Sequence, residues 1–261
     1  MEECGFCFDN CRRNELLVAN EHYKLPAPKK TGTTIAGAVF KDGVIIGADT
    51  RSTSETVVEE KNCLKLHRLT DYIYAAGAGS SADLLKVTDM LAQRLRLLEL
   101  NSGRKPRVVT AVTMAKRYLF NYKGYVSAYL IIGGVDVTGS HLYSISSHGH
   151  SDHVPFVTNG SGCLAAISHF EQFYRSDMDL ESAKHYVSMA VSSGILNDLG
   201  SGSNVDLAII TPRGVDFLRN YQKISVPDPL LRKYNFKKGT TKVTKQGFKM
   251  MPYDVVYTVT T

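Results

Sequence analysis

Between residues 33 and 222 the hydrophobic pattern changes period in a fixed order: strands, a pair of helices, strands, a second pair of helices, strands. Apolar residues at alternate positions share one face of a pleated strand, whereas a spacing of three and four places them on one side of a helix. The first run, Thr33-Thr34-Ile35-Ala36-Gly37-Ala38-Val39-Phe40, joins Val44-Ile45-Ile46-Gly47-Ala48-Asp49 through the hairpin turn Lys41-Asp42-Gly43. A strand over 72–76 ends in Gly77-Ala78-Gly79, which opens a helix reaching Leu98. That helix carries Leu84, Val87, Leu91 and Leu95 at helical spacing, and Ser80 and Asp83 are placed as its capping box. Pro106 opens the next helix; strands follow at 128–132, 141–145 and 154–157, helices at 163–174 and 180–196, and strands at 205–211 and 215–218. Helices arriving in pairs between hairpin-linked strands suit two antiparallel sheets packed face to face with a helical layer outside each. A parallel βαβ sheet would alternate them singly. The expected fold is therefore α+β, a four-layer αββα sandwich in one domain over 33–222, with a leader at 1–32 and an arm at 223–261.

Composition narrows the function classes. A chain of 261 residues with 43% hydrophobic and 21% charged residues is ordinary for a globular protein with a full core. No apolar run approaches the roughly 20 residues needed to span a bilayer, so no membrane role is expected. The acidic start, Met1-Glu2-Glu3-Cys4, lacks the apolar stretch of a secretory signal, and an odd count of five Cys suits free thiols in a reducing compartment. Cytoplasm and nucleus are the expected locations. The net charge of +6 is carried by the arm: eight basic residues from Lys223 onward face only Asp228 and Asp254, leaving 1–222 balanced. A domain-wide field for nucleic acid is therefore absent. Leu230, Leu231, Tyr234, Phe236 and Phe248 interleave the arm's charges, which favours an arm lying on a neighbouring protein over a solvated tail.

The junction Thr31-Gly32-Thr33-Thr34-Ile35 separates the leader's polar, period-free Lys24-Leu25-Pro26-Ala27-Pro28-Lys29-Lys30 from a buried strand. Such a junction is what a chain needs to cut itself and expose a Thr amine. An N-terminal Thr carries nucleophile and base in one residue, the hydroxyl attacking and the free amine taking its proton. That amine must be neutral, so a nearby cation should lower its pKa and a carboxylate should hold the cation. Lys65, in the apolar setting Cys63-Leu64-Lys65-Leu66, and Asp49, at the end of the second strand, are candidates. Taken singly, Asp49 also reads as a turn cap and Lys65 as a solvated strand residue. Gly77-Ala78-Gly79 offers backbone N–H donors for an oxyanion.

Several strings together resemble the proteasome β-subunit family, most closely its trypsin-like catalytic members. They are Thr31-Gly32-Thr33-Thr34-Ile35-Ala36-Gly37, Gly47-Ala48-Asp49-Thr50-Arg51-Ser52, Lys61-Asn62-Cys63-Leu64-Lys65-Leu66-His67, Gly77-Ala78-Gly79 and Asn197-Asp198-Leu199-Gly200-Ser201-Gly202-Ser203-Asn204. The leader's Phe8-Asp9-Asn10-Cys11-Arg12-Arg13-Asn14 and the arm's Lys238-Gly239-Thr240-Thr241 are similar as well. The resemblance implies an N-terminal-nucleophile hydrolase. Thr33 would be the nucleophile, freed by autocatalytic cleavage at Gly32; Asp49 and Lys65 would tune it, Gly79 would supply the oxyanion N–H, and Ser161, Asp198 and Ser201 would form the polar group at the amine. It implies a pocket lined by Ser52, Cys63, His67 and Gly77, with Glu60 as one acidic position that pairs with a basic substrate side chain. The other, usually Asp or Glu, falls on Leu85, so tryptic preference is expected in weakened or broadened form. The partners implied are the other β and α subunits of a four-ring particle, polypeptide substrates and, through the assembly, regulatory ATPase caps in ubiquitin-linked degradation. No cofactor or metal is called for.

Two rival functions stand beside this. A non-catalytic ring subunit would share the shape, but such members lose the nucleophile, the lysine or the cleavable glycine, and Thr33, Lys65 and Gly32 are all kept. A metal-dependent hydrolase is suggested by His148-Gly149-His150-Ser151-Asp152-His153, yet only His169 and His185 lie downstream as further ligands, both in amphipathic helices. His148 is left as a residue bordering the substrate cleft. Cys4 and Cys7 with Cys11 and His22 sit in the disposable leader. Ser161 lacks the glycine two residues earlier that a nucleophile elbow has, and no phosphate-binding Gly-rich Lys-Ser/Thr loop is present.

Overall fold

The computed structural model describes residues 9–20 and 31–224, together with 239, 245, 247 and 248. The chain divides into two units, Met1–Val226 and Pro227–Thr261, and every element belongs to the first. In chain order the elements are α1 (Asp9–Ala19), β1 (Thr34–Phe40), β2 (Gly43–Asp49), β3 (Ser52–Ser54), β4 (Val57–Glu60), β5 (Leu66–Thr70), β6 (Ile73–Gly79), α2 (Ser81–Ser102), α3 (Val108–Asn121), β7 (Ala128–Asp136), β8 (Gly139–Ile145), β9 (Ser151–His153), β10 (Phe156–Gly160), α4 (Cys163–Phe173), α5 (Leu180–Asn197), β11 (Asn204–Thr211) and β12 (Gly214–Lys223).

Two five-stranded antiparallel sheets result, ordered β10-β1-β2-β11-β12 and β5-β6-β7-β8-β9, with β3 and β4 as a separate ribbon. The expected sandwich is present. One apolar cluster lies between α2, α3 and the second sheet, through Leu84, Val87, Leu91, Val112 and Leu119. Another lies between α4, α5 and the first sheet, through Ala166, Phe170, Val187 and Val191. The third lies between the sheets, where Ile35, Val44, Ile46 and Ala48 meet Leu66, Ala76, Ile131 and Leu142. Strands β1 and β2 are thus covered on both faces, which is why their sequences read as nearly continuous apolar runs.

Local details depart from the sequence reading. Gly77-Ala78-Gly79 continues β6 rather than opening a helix, because each residue pairs with β7, Gly79 opposite Ala128. The capping box does not form: Ser80 holds the N-cap position of α2 without a side-chain bond, and the Asp83 carboxylate instead accepts the Ser127 amide at 3.0 Å. The same side chain is used to anchor the loop entering β7. Helix α2 runs on to Ser102 and ends at Gly103 in the left-handed region, φ 64°. The leader contains a helix, α1, that the polar pattern did not announce. Strands β3, β4 and β9 also went unread, being short and exposed or half-buried for the most part. The aromatic and apolar residues singled out between 230 and 236, and Cys4, Cys7, Cys11 and His22 as side chains, lie outside the described residues.

Candidate active site

Thr33 immediately precedes β1, and Asp49 ends β2. The two strands are antiparallel with Ile35 opposite Ala48, so the hairpin lays the end of one beside the start of the other. Lys65 immediately precedes β5 and reaches over from the facing sheet. Its Nζ donates to Asp49 Oδ1 at 2.8 Å, to Thr33 Oγ1 at 3.1 Å and to the Gly32 carbonyl at 3.1 Å. Lys65 is only 8% exposed and Asp49 is fully buried, so Lys65 is not a solvated strand residue. Burying such a pair is tolerable only when the remaining lone pairs are satisfied. Here they are: Asp49 Oδ1 also accepts the Thr34 amide at 2.9 Å, and Oδ2 accepts the amides of Arg51 at 3.2 Å and Gly202 at 3.0 Å.

A second polar group gathers on the other side of Thr33. The Thr33 amide donates to Ser161 Oγ at 3.0 Å, and the Ser161 and Ser201 hydroxyls both donate to Asp198 Oδ2 at 2.6 Å. The Gly200 amide donates to Asp198 Oδ1 at 3.1 Å. Partial burial pushes the Asp198 carboxyl upward, but the bonds from Ser161, Ser201 and the backbone outweigh it and hold the group below the usual Asp range. Thr34 Oγ1 shares a 2.7 Å bond with Ser201 Oγ, closing the cluster onto β1.

Thr31 and Gly32 lie in the same cleft as Thr33. Gly32 lies flat against Gly200; a Cβ at Gly32 would fall 2.1 Å from the Gly200 Cα. The Gly32 amide donates to Thr53 Oγ1 at 3.0 Å, and the Thr31 hydroxyl donates to the Gly79 carbonyl at 2.7 Å. Thr33 Oγ1 donates to the Gly32 carbonyl at 2.7 Å, which puts the hydroxyl beside the Gly32–Thr33 peptide bond. Gly79 has φ 132°, and a Cβ there would stand 2.2 Å from the Ser127 carbonyl oxygen, so only glycine fits.

Thr33, Lys65 and Gly79 border one cleft of about 230 Å³, whose walls include Ser52, Glu60, Cys63, His67, Gly77 and Leu85. All the side chains expected to line the pocket are therefore brought together. Glu60, exposed at the end of β4, supplies the carboxylate; Leu85, on α2, presents an apolar surface that is 49% exposed. A Cβ at Gly77 would meet Leu84 Cδ2 at 2.6 Å, so this glycine makes room for a leucine in the wall. Burial pushes the Cys63 thiol up, against the opposing charge of Lys65. Burial also lowers the His67 imidazole, which Asp89 partly offsets. Thr53, Leu64, Ser81 and Leu84 were missed; nothing in their local sequence marks them, since β3, the segment before β5 and the start of α2 meet at the cleft only through folding.

The other candidates separate. His150 pairs with Asp152 at 2.9 Å on the exposed turn leading into β9, and His153 meets His141 at 3.3 Å instead. Among the described residues no group of three or more His, Cys, Asp or Glu side chains is placed to hold a metal ion. His148 does not line the cleft; its ring lies over Gly124, at the turn after α3.

Comparison with known families matches residues 29–210 to the family described as Proteasome subunit. Proteasome subunit beta type-7 of Dictyostelium discoideum is 48% identical, over 97% of this chain and 94% of its own. Proteasome subunit beta type-7-B of Arabidopsis thaliana is 49% identical over 92% and 89%, and Proteasome subunit beta type-2 of Saccharomyces cerevisiae 45% identical over 93% of both chains. With the αββα sandwich and the Thr33 cleft already in place, these matches give one conclusion: the chain belongs to the proteasome β-subunit family, whose members assemble with other subunits into the proteasome core particle.

Proposed function

We propose that this subunit is a threonine endopeptidase that matures by cutting its own Gly32–Thr33 bond. The observation that carries this reading is the Lys65 ammonium, held by Asp49 and placed on both the Thr33 hydroxyl and the Gly32 carbonyl. In maturation Thr33 Oγ1 attacks the Gly32 carbonyl carbon, and the Lys65 charge steadies the oxygen as it becomes negative. The C–N bond breaks as a proton reaches the Thr33 nitrogen, leaving an ester that water hydrolyses. The products are a leader of residues 1–32 and a free Thr33 amine, set beside Ser161 and the Asp198–Ser201 pair. The same hydroxyl then attacks substrate peptides, the amine serves as base, and the Gly79 N–H faces the oxyanion. Residues 33–222 form the catalytic domain, and 223–261 an arm on a neighbouring subunit.

The pocket suggests its substrates. Glu60 favours a Lys or Arg side chain before the cut, while Leu85, Leu84 and Leu64 offer apolar contact to that side chain's stem or to a bulky apolar residue. Cleavage after basic residues, with broadened tolerance, is the resulting preference. The proposed setting is the second β position of a four-ring α and β particle in cytoplasm and nucleus, fed with unfolded polypeptides by ATPase caps in ubiquitin-dependent degradation.

Intact mass of the subunit from assembled particles should lack residues 1–32, and a Thr-directed epoxyketone should label Thr33. A leader retained in mature particles, with no labelling, would leave only a scaffold subunit; loss of activity to a chelator would revive a metal hydrolase.

A further inference from the structure

Strand β12 does not run evenly along β11. Pairing is regular from Thr211 opposite Gly214 to Leu207 opposite Leu218, and resumes with Val205 opposite Gln222. Between these points Asp206 alone stands across from Arg219, Asn220 and Tyr221. Extra residues in one strand of an antiparallel pair bend it and re-aim its side chains. Asn220 takes up the bend at φ 51°, a left-handed conformation that Asn tolerates better than most residues.

The bulge is folded around the Asp206 carboxylate, which is 1% exposed. Its Oδ1 accepts the Asn220 amide at 2.7 Å, and its Oδ2 accepts Arg219 Nη1. The guanidinium fork then continues outward: Arg219 Nη2 donates to the Asn62 carbonyl at 2.8 Å and to Asn62 Oδ1 at 2.9 Å. Asn62 lies between β4 and β5, in the segment that carries Glu60, Cys63 and Lys65 into the cleft. The same segment is pinned from the other side by Thr50, whose hydroxyl donates to the Lys61 carbonyl at 3.0 Å and whose carbonyl accepts the Cys63 amide at 2.9 Å. Two consecutive peptide groups, Lys61–Asn62 and Asn62–Cys63, are thus fixed two residues before the lysine that touches Thr33.

We propose that Arg219 is a positioning residue of the active site, tying the buried Asp206 to Asn62 so that the 60–65 segment holds the Lys65 ammonium on Thr33. This rests on the peptidase reading above. A Lys at 219 can neutralise Asp206 but lacks the planar fork needed to hold Asp206 and both Asn62 oxygens at once. Arg219→Lys should therefore fold and assemble yet leave the segment loose. A displacement of a few tenths of an ångström at Lys65 would lower kcat rather than raise KM, because Lys65 meets the reacting hydroxyl.

The test uses assembled core particles with the full chain, a fluorogenic peptide ending in Arg, and titration of labelled Thr33 to count active sites. Arg219→Lys is expected to lower kcat per titrated Thr33 by about tenfold, with KM within about twofold. Arg219→Met with Asp206→Asn removes the clamp without leaving a buried charge unpaired, and should show the same fall. A kcat per titrated site within twofold of the unaltered particle in both variants overturns the inference while leaving the peptidase reading intact. An unaltered particle in which Thr33 is neither freed nor labelled overturns both.

Discussion

The Lys65 ammonium stands 3.1 Å from the Thr33 hydroxyl oxygen, and the two residues come from different sheets of the sandwich. Asp49 fixes this relationship by gripping the ammonium from the Thr33 side at 2.8 Å. The Thr33 hydroxyl therefore meets the Lys65 ammonium where the two sheets face each other.

Removing that cation should halt both maturation and turnover. Lys65→Ala deletes the donor to Thr33 Oγ1 and Gly32, so particles should retain residues 1–32 by mass, with peptidase activity down on the order of 10²- to 10⁴-fold. It also leaves the buried Asp49 without its counter-charge, a loss of about 3 kcal/mol. Normal processing in this variant would remove Lys65 from the proposed chemistry.

Gly32→Val should separate leader packing from nucleophile chemistry. Its Cβ would fall on the Gly200 backbone, which cannot swing aside as a side chain tip could. The clash should displace the scissile carbonyl from Thr33 Oγ1, at a cost of about 1–3 kcal/mol in the uncut chain. A time course of leader release after assembly should show cleavage slowed by at least about tenfold. Release at the unaltered rate would mean that the Gly32–Gly200 contact does not set the attack geometry.

Leu85→Asp adds a second carboxylate to the cleft that Glu60 also lines. Leu85 is half-exposed, so the new pairing with a substrate cation should contribute about 1 kcal/mol, or roughly fivefold. The ratio of kcat/KM for Arg-terminated over Leu-terminated fluorogenic peptides is the measurement. No rise in that ratio would show that position 85 does not select the residue before the cut.

His67 sets a pH dependence of stability. Burial holds its folded-state pKa below the ordinary 6.5. As pH falls through 6.5 the unfolded chain takes up a proton that the folded ring resists, so the unfolded state binds more protons and stability drops. Above 6.5 both states are neutral and the effect vanishes. Thermal unfolding at pH 7.5 and 5.5 should show a larger loss in the unaltered particle than in His67→Gln; equal losses would count against this assignment.

Local sequence determined the layers, the Gly32–Thr33 junction and the candidates Asp49 and Lys65. Alternation and helical spacing follow directly from which faces must be buried, and both sheets and four of the five helices among the described residues were legible for that reason. The fate of single polar side chains was not. Asp83 reads as half of a capping box until the fold offers it the Ser127 amide, and Asp49 reads equally as a turn cap until Lys65 arrives from the other sheet. The residues around Thr33 span 33 to 201 in sequence, and strand register, the packing of the two sheets and the loops after β10 and α5 together decide which of them meet. The same holds for Arg219, whose bulge and reach to Asn62 come from the pairing of β11 with β12, 157 residues away from its partner in sequence. Side-chain partners depend on pairings between distant segments, and a period of two or 3.6 carries no record of those.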